Sequence, residues 1–313
     1  MELLLPAFEG PEKKMEIILF SPQPGLRSDE NGRWQGVVRA SGAEIISKIS
    51  GTDMDAYLLS ESSLFVREDR ILMITCGRTT LVQALPEILR TVDKNNVAFL
   101  FYEQKNFMFP KEQPSDFEND VALITASFPG KYYKLGPANY DHVNVFYSSH
   151  AKARPEADAT LQILMHGLEA DAMQLFCKNG NMTADAMLRE SGIHRIYRRP
   201  MQTDGYLFSP CGYSMNGIDG NDYFTVHVTP HLSSSYVSFE SNIMEADYSP
   251  TIEKVIAIFR PGRFSLVLTS SMDEDCLHSH ETLENAVHGY ALTDKSLYEF
   301  DCGYAVTFLN YIR

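Results

Sequence analysis

Two pairs of side chains stand out because turns in the sequence set them opposite one another. Tyr206–Met215 leads into the tight turn Asp219-Gly220-Asn221-Asp222, and Tyr223–Thr229 (YFTVHVT) returns. With Gly220-Asn221 as a two-residue hairpin loop, Ser214 falls directly across from His227, and opposed residues project from the same face of a sheet. A hydroxyl beside an imidazole is a competent proton-transfer pair. Tyr223, Thr225, His227 and Thr229 share that face, while Phe224, Val226 and Val228 share the other, so the polar face is expected to do the work. The competing explanation is a structurally satisfied histidine on a half-exposed sheet. Earlier in the chain, Tyr57–Val66 (YLLSESSLFV) reads as a strand, Arg67-Glu68-Asp69-Arg70 as a turn and Ile71–Thr75 as the return. With Glu68-Asp69 as the loop Ser62 faces Thr75, and with a longer loop or a bulge it faces Cys76, so Ser62 and Cys76 are neighbours in either register. Ser60, Glu61, Ser62 and Ser63 interrupt an otherwise apolar segment; burying them is costly unless they are hydrogen-bonded, and such breaks in local consistency mark functional sites. A serine and a cysteine on one hairpin, with a serine and a histidine on another, suit a nucleophilic enzyme or a self-processing one.

The elements that must position these residues form a pattern that recurs. After the first hairpin, Cys76-Gly77 breaks the strand and Thr79–Leu89 reads as a helix with Thr79 or Thr80 as N-cap. After the second, Tyr236–Glu240 reads as a strand, Ser249–Phe259 as a helix with Pro250 in its first turn, and Arg263–Thr269 as another strand. Leu161–Phe176 reads as a helix, and the irregular stretch from about 130 to 160 as the connector between halves. Antiparallel hairpins followed by helices, twice over, predict an α+β protein of two related halves.

The chain has 313 residues, 44% hydrophobic and 22% charged, an ordinary globular composition with room for a large core. Its 41 acidic against 27 basic residues give a formal net charge of -14, which works against binding nucleic acid or an anionic membrane surface. The run Leu3-Leu4-Leu5 ends at Pro6 without a basic region before it, so no signal peptide is expected, and no stretch approaches a membrane span. Five widely spaced cysteines (Cys76, Cys177, Cys211, Cys276, Cys302) without C-x-x-C pairs disfavour a disulfide framework or a zinc site and suggest free thiols in the cytoplasm. His278-Ser-His280 lacks a third ligand at helical spacing, so no metal is expected; Asn181-Met182-Thr183 is a glycosylation pattern in a chain not expected to meet that machinery. There is no G-x-S-x-G elbow and no phosphate-cradling loop.

Five motifs in order, FEGPEK (Phe8–Lys13), YLLSESSLFV (Tyr57–Val66), Thr75-Cys76-Gly77, PCGYS (Pro210–Ser214) and His227-Val-Thr-Pro230, resemble eukaryotic S-adenosylmethionine decarboxylase, a pyruvoyl-dependent family, over nearly the whole chain. The resemblance implies a four-layer α/β/β/α sandwich of two antiparallel sheets in two pseudo-repeated halves, formed by residues 1–313 as one domain. It also implies autocleavage of the proenzyme into a β chain, 1–61, and an α chain, 62–313, at Glu61/Ser62. By resemblance the Ser62 hydroxyl attacks the Glu61 carbonyl, Ser214 stabilises the oxyanion and His227 removes the α-proton of residue 62, leaving a pyruvoyl group. That carbonyl would form a Schiff base with S-adenosylmethionine and accept the electrons released with carbon dioxide, yielding the aminopropyl donor of spermidine and spermine biosynthesis. Cys76 corresponds to the residue that protonates the product. Phe8 and Phe208 correspond to aromatics that stack on adenine and face the sulfonium, Leu59 to a substrate-binding position, and Glu9 and Glu12 to an active-site acidic pair.

The chain also departs from the family pattern. His231 follows Pro230 where a ribose-binding glutamate is usual, which removes a bidentate acceptor. Glu16, Asp158, Thr160 and Glu240 match the acidic pocket that takes the activator putrescine in animal members, but Ile74 replaces a lysine, Gln162 a glutamate, and Glu103-Gln104 a Ser-Arg pair. Altered or absent putrescine control is therefore expected. Two alternatives to a self-processing decarboxylase follow: a non-catalytic regulatory paralogue acting by heterodimerisation, resembling the trypanosomatid branch in Ile74 and a short N-terminus, and a pyruvoyl decarboxylase of another amino acid. Partners implied are S-adenosylmethionine, a diamine or paralogue activator, and a second subunit in a homo- or heterodimer.

Overall fold

A computed structural model describes residues 8–29, 32–177, 182–231, 234–283 and 287–313; the Leu3-Leu4-Leu5 run and Asn181 lie outside them. The first sheet contains β1 (Lys13–Leu19), β2 (Ile45–Ser50), β3 (Asp55–Leu59), β4 (Ser62–Val66), β5 (Arg70–Thr75), β6 (Val97–Lys105), β7 (Lys131–Leu135) and β8 (Val143–Ser149). The second contains β9 (Ala159–Leu168), β10 (Gln202–Leu207), β11 (Tyr213–Asp219), β12 (Asp222–Thr229), β13 (Tyr236–Ser241), β14 (Pro261–Ser271), β15 (Ala291–Glu299) and β16 (Tyr304–Ile312). Each sheet is antiparallel and eight-stranded, ordered β2-β3-β4-β5-β1-β6-β8-β7 and β10-β11-β12-β13-β9-β14-β16-β15. The second order is the first with every label advanced by one half-molecule, so the expected repeat is a repeat of topology.

Alternation along the strands sorts the side chains into layers. Outward residues of the first sheet, such as Met15, Leu59, Leu64 and Met73, pack with Trp34 and Val38 of α1 (Arg33–Ala40), Leu85 of α2 (Ala84–Ile88) and Val121 of α3 (Phe117–Thr125). The outward face of the second sheet packs on Met173 of α4 (Ala170–Leu175), Met187 of α5 (Ala184–Glu190) and Val255 and Phe259 of α6 (Ser249–Phe259), with α7 (Glu274–Thr282) beside β14. Between the sheets lie two apolar clusters, one around Phe101, Tyr147, Tyr304 and Phe308, the other around Phe65, Leu72, Ile218 and Tyr223. Polar side chains fill the seam between the clusters. This is the four-layer sandwich expected from the sequence. Among the described residues no helix is long and apolar enough to cross a membrane.

Several local expectations need correction. Tyr57–Val66 is two strands, not one: Leu59 pairs with Ser62 across a tight turn at Ser60-Glu61. Leu161–Phe176 is mostly strand β9 followed by the short α4; as a central strand covered on both faces it carries a near-continuous apolar run, which periodicity alone does not separate from a helix. The Thr79–Leu89 helix begins as a 3₁₀ turn at Leu81–Gln83, because Pro86 has no N–H to bond to Val82, and neither threonine caps it. The 130–160 stretch supplies β7 and β8 to the first sheet, which leaves only residues after 149 as connector. Cys177 and Cys211 are joined in a disulfide, contrary to five free thiols; Cys76, Cys276 and Cys302 are free and buried. No spacing rule reveals that pair, because the sheet brings together two segments far apart in sequence.

Candidate active site

Both hairpin registers hold. Ser214 pairs with His227, and Ser62 with Thr75. Neither hairpin is half-exposed: the working face of each points into the seam, where Ser62 is 1% and Ser63 0% accessible. By alternation Ser62 should project outward with Leu64 and Val66. It has φ 118° instead, a region that non-glycine residues rarely adopt. Its hydroxyl donates to Glu12 Oε1 at 3.1 Å, and Ser238 of the second sheet donates to the same oxygen at 2.7 Å. The unusual φ thus brings two consecutive serines, Ser62 and Ser63, into the space between the sheets.

Around this point three groups of contacts converge. The Glu61 carbonyl accepts the Cys76 N–H at 2.9 Å, and the Cys76 thiol lies 3.7 Å from Glu61 Oε2. His227 Nδ1 is 2.9 Å from Ser214 Oγ, while its Nε2 is 2.8 Å from Thr225 Oγ1 and 3.2 Å from Ser63 Oγ. Ser63 donates to Asn216 Oδ1 at 2.6 Å, and Asn216 Nδ2 donates to the Tyr57 carbonyl at 3.2 Å, which ties the two sheets together. The Ser214 hydroxyl, expected at the Glu61 oxyanion, lies on His227, and the donor on the Glu61 carbonyl is a backbone N–H. Thr225 lies on the face expected to do the work, but Asn216 was not singled out in the sequence; the same hairpin register pairs it with Thr225 and would have found it.

Burial sets the protonation of the site. It lowers His227 to about 3, so the imidazole is neutral. It raises Glu12 to about 8 and Glu61 to about 7, with Ser238 and Cys76 respectively opposing the rise by hydrogen bonding. Burial, with the Glu61 charge second, holds the Cys76 thiol well above its ordinary value, so it carries its proton.

The remaining expected residues fall at different distances from this cluster. Phe8 is 37% exposed beside Gly77, where a β-carbon would come 3.2 Å from its ring and 2.6 Å from Glu61 Oε2. Phe208 stands edge-on to Tyr206 in the loop before β11. Leu59 is fully buried in the outer core, so only its backbone is available to a ligand. Glu9 is turned away from Ser62; its carboxylate accepts the Met108 and Phe109 N–H groups at 2.8 and 2.7 Å. His231 Nδ1 lies 2.9 Å from Ser234 Oγ. His280 is bonded through both nitrogens, to Ser270 and Thr307.

Farther along the seam the three carboxylates of the four acidic-pocket positions meet cations that no sequence motif pointed to. Lys14 pairs with Glu240 at 3.1 Å, and Tyr223 donates to Glu240 at 2.6 Å. Arg70 binds Asp158 through two hydrogen bonds, 3.0 and 2.8 Å, and reaches Glu16 at 3.3 Å. Gln162 donates to Glu103 at 2.6 Å; Thr160 is buried in β9 nearby. The cavity left between Glu12, Lys14, Ile74, Glu103, Gln162 and Glu240 is about 20 Å³, the room of one water. A larger cavity of about 850 Å³, by Tyr132, Asp141 and Arg263, contains none of the residues around Ser62.

Two stacked antiparallel sheets with a serine at positive φ, a neutral histidine and a protonated thiol buried between them define a two-sheet sandwich protein with a polar cluster at Glu61–Ser62. Residues 6–312 match the family model described as adenosylmethionine decarboxylase, and the chain belongs to that family. It is 35% identical to the S-adenosylmethionine decarboxylase proenzyme of Dictyostelium discoideum over 97% of this chain and 85% of that one. The corresponding Trypanosoma cruzi proenzyme is 33% identical over 98% and 89%, and that of Drosophila melanogaster 36% over 88% and 86%. A solved Trypanosoma brucei AdoMetDC-delta26 monomer superposes with a TM-score of 0.66 at 26% identity, covering 80% of this chain and 98% of that one.

Proposed function

We propose that this adenosylmethionine decarboxylase of polyamine biosynthesis makes its pyruvoyl group from Ser62, by cleaving its own chain into residues 1–61 and 62–313. The observation that carries the reading is the Ser62 backbone: φ 118° beside a carbonyl already held by the Cys76 N–H. Attack of the Ser62 oxygen on the Glu61 carbonyl carbon exchanges a C–N bond for a C–O bond. The Cys76 N–H is aimed at the oxygen that gains charge, and relief of the strained φ favours the shift. Glu12, mostly protonated at neutral pH, and Ser238 hold the hydroxyl in place. Neutral His227, oriented by Ser214 and Thr225, then takes the α-proton of residue 62. The ester leaves as the Glu61 carboxylate, and water replaces the nitrogen of the resulting dehydroalanine, releasing ammonia.

The pyruvoyl group supplies an electrophilic carbonyl for the substrate amine and a sink for the electrons left by carbon dioxide. The surrounding residues fit it: buried hydroxyls and a backbone donor surround position 62, and the Cys76 thiol is a neutral proton donor for the product carbon. Phe8 and Phe208 offer ring faces to adenine and to the cationic sulfur. His231 can bond a ribose hydroxyl through one nitrogen at a time.

The diamine site is read as internally satisfied. Lys14 on Glu240 and Arg70 on Asp158 and Glu16 already pair the carboxylates a diamine would need, and the cavity beside Lys14 and Glu240 is only about 20 Å³. Cytoplasmic placement accords with Cys76 acting as a free thiol. Relatives named as proenzymes disfavour the non-catalytic alternative. Intact-mass analysis tests the reading: two chains meeting at Glu61/Ser62, the larger without a free amino terminus, are expected, and a single uncut chain would sink it. Carbon dioxide should come from S-adenosylmethionine and not from ornithine or arginine.

A further inference from the structure

The Cys177–Cys211 disulfide takes no part in the chemistry above, yet it clamps the loop that presents Phe208. Cys177 follows α4 and Cys211 precedes β11; they meet as an isolated bridge between two segments far apart in sequence. The loop Phe208–Gly212 closes on itself through the Phe208 N–H to the Gly212 carbonyl, 2.9 Å, and is pinned outward by the Gly212 N–H on the Phe176 carbonyl, 3.0 Å. Gly212 sits at φ 128°, where a β-carbon would come 3.2 Å from that of Phe208, so the loop is tight in its clamped form. Both cysteines are partly exposed, whereas Cys76, Cys276 and Cys302 are buried, so a thiol in solution meets this pair first.

We propose that Cys177–Cys211 is a reversible redox site that sets the order of the Phe208 loop and, through it, the grip on substrate. The second half of that statement rests on reading Phe208 as a substrate-contacting aromatic. In the reductive step a thiolate attacks one sulfur and breaks the S–S bond, giving a mixed disulfide. A second thiol resolves it, so two electrons and two protons pass to Cys177 and Cys211 and the reductant leaves as its own disulfide. Without the cross-link the loop regains conformational freedom, and substrate binding must order it again. Ser214 and His227 lie within a continuous ladder from β10 to β13, which does not depend on the cross-link. Reduction therefore raises KM and leaves kcat and self-cleavage nearly unchanged.

The full chain is equilibrated in glutathione buffers from fully reduced to fully oxidised, alkylated, and compared with Cys177→Ser. A reversible gain and loss of two alkylatable thiols is expected. Reduction should also speed amide exchange over residues 208–213, and it should raise KM for S-adenosylmethionine roughly two- to tenfold. Cys177→Ser should behave as the reduced protein at every poise. Failure of the pair to form at any poise, exchange that ignores reduction, or a KM that does not move would each overturn the proposal. A loop that loosens in a protein releasing no carbon dioxide in either state upholds the redox site and overturns the decarboxylase reading instead.

Discussion

The proposed mechanism gives Ser62 and Cys76 different tasks, which single substitutions separate. Ser62→Ala removes the attacking oxygen and should leave one uncut chain by intact mass. Cys76→Ala keeps the backbone N–H on the Glu61 carbonyl, so cleavage should proceed, while loss of the proton donor lowers kcat by roughly a hundredfold or more. Glu12 adds a pH signature. Its folded value, about 8, lies above the ordinary 4.5, so its contribution to stability is fully present below pH 4.5 and is lost as pH rises through about 8. In the uncut Ser62→Ala background, thermal melts from pH 6 to 9.5 should fall more steeply with Glu12 than with Glu12→Gln, which stays neutral. Parallel curves would mean that Glu12 is not buried as an acid.

At the scale of elements, what the sequence disclosed was local. A Gly-Asn turn fixes its own register, so the Ser214–His227 contact is legible in the sequence itself, and Asn216 and Thr225 come with it. The Ser60-Glu61 turn escaped because its flanks are apolar and its glutamate and serines carry no strong turn preference; it exists through the backbone of Ser62 and pairing on both sides. The β9 strand escaped because burial on both faces erases the period of two. Contacts between sheets, such as Glu12 with Ser238 and Ser63 with Asn216, join residues more than 150 positions apart and have no local signature. One of these contacts yields a test. Gly10 lies so close to Tyr236 that a β-carbon would come 2.4 Å from the tyrosine Cβ, and the FEGPEK segment carries Glu12 into the seam. Gly10→Ala should displace that segment, lower stability by about 1–3 kcal/mol in denaturant melts and slow self-cleavage. A variant with unchanged stability and cleavage would show that the segment is free to shift.

Across the whole molecule, two repeated halves bury a polar seam that neither could cover alone, and its charges are balanced by pairing both within the first sheet and across the seam. Glu16, Asp158 and Glu240 are opposed by Arg70 and Lys14, and Lys14 also bears on Glu12, which holds the Ser62 hydroxyl. The acidity that argues against polyanions is thus partly neutralised inside by fixed cations, which the proposed reading puts in the place of a diffusible diamine. If so, putrescine should change wild-type activity by less than about twofold, because the acids it would meet are already paired. Lys14→Ala leaves Glu240 buried without its partner and opens space beside it. Self-cleavage and decarboxylation should fall roughly tenfold or more, and millimolar putrescine should restore part of both and raise the melting temperature of the variant but not of the wild type. Strong stimulation of the wild type, or a variant that putrescine neither stabilises nor activates, would show that Lys14 does not stand in for the diamine.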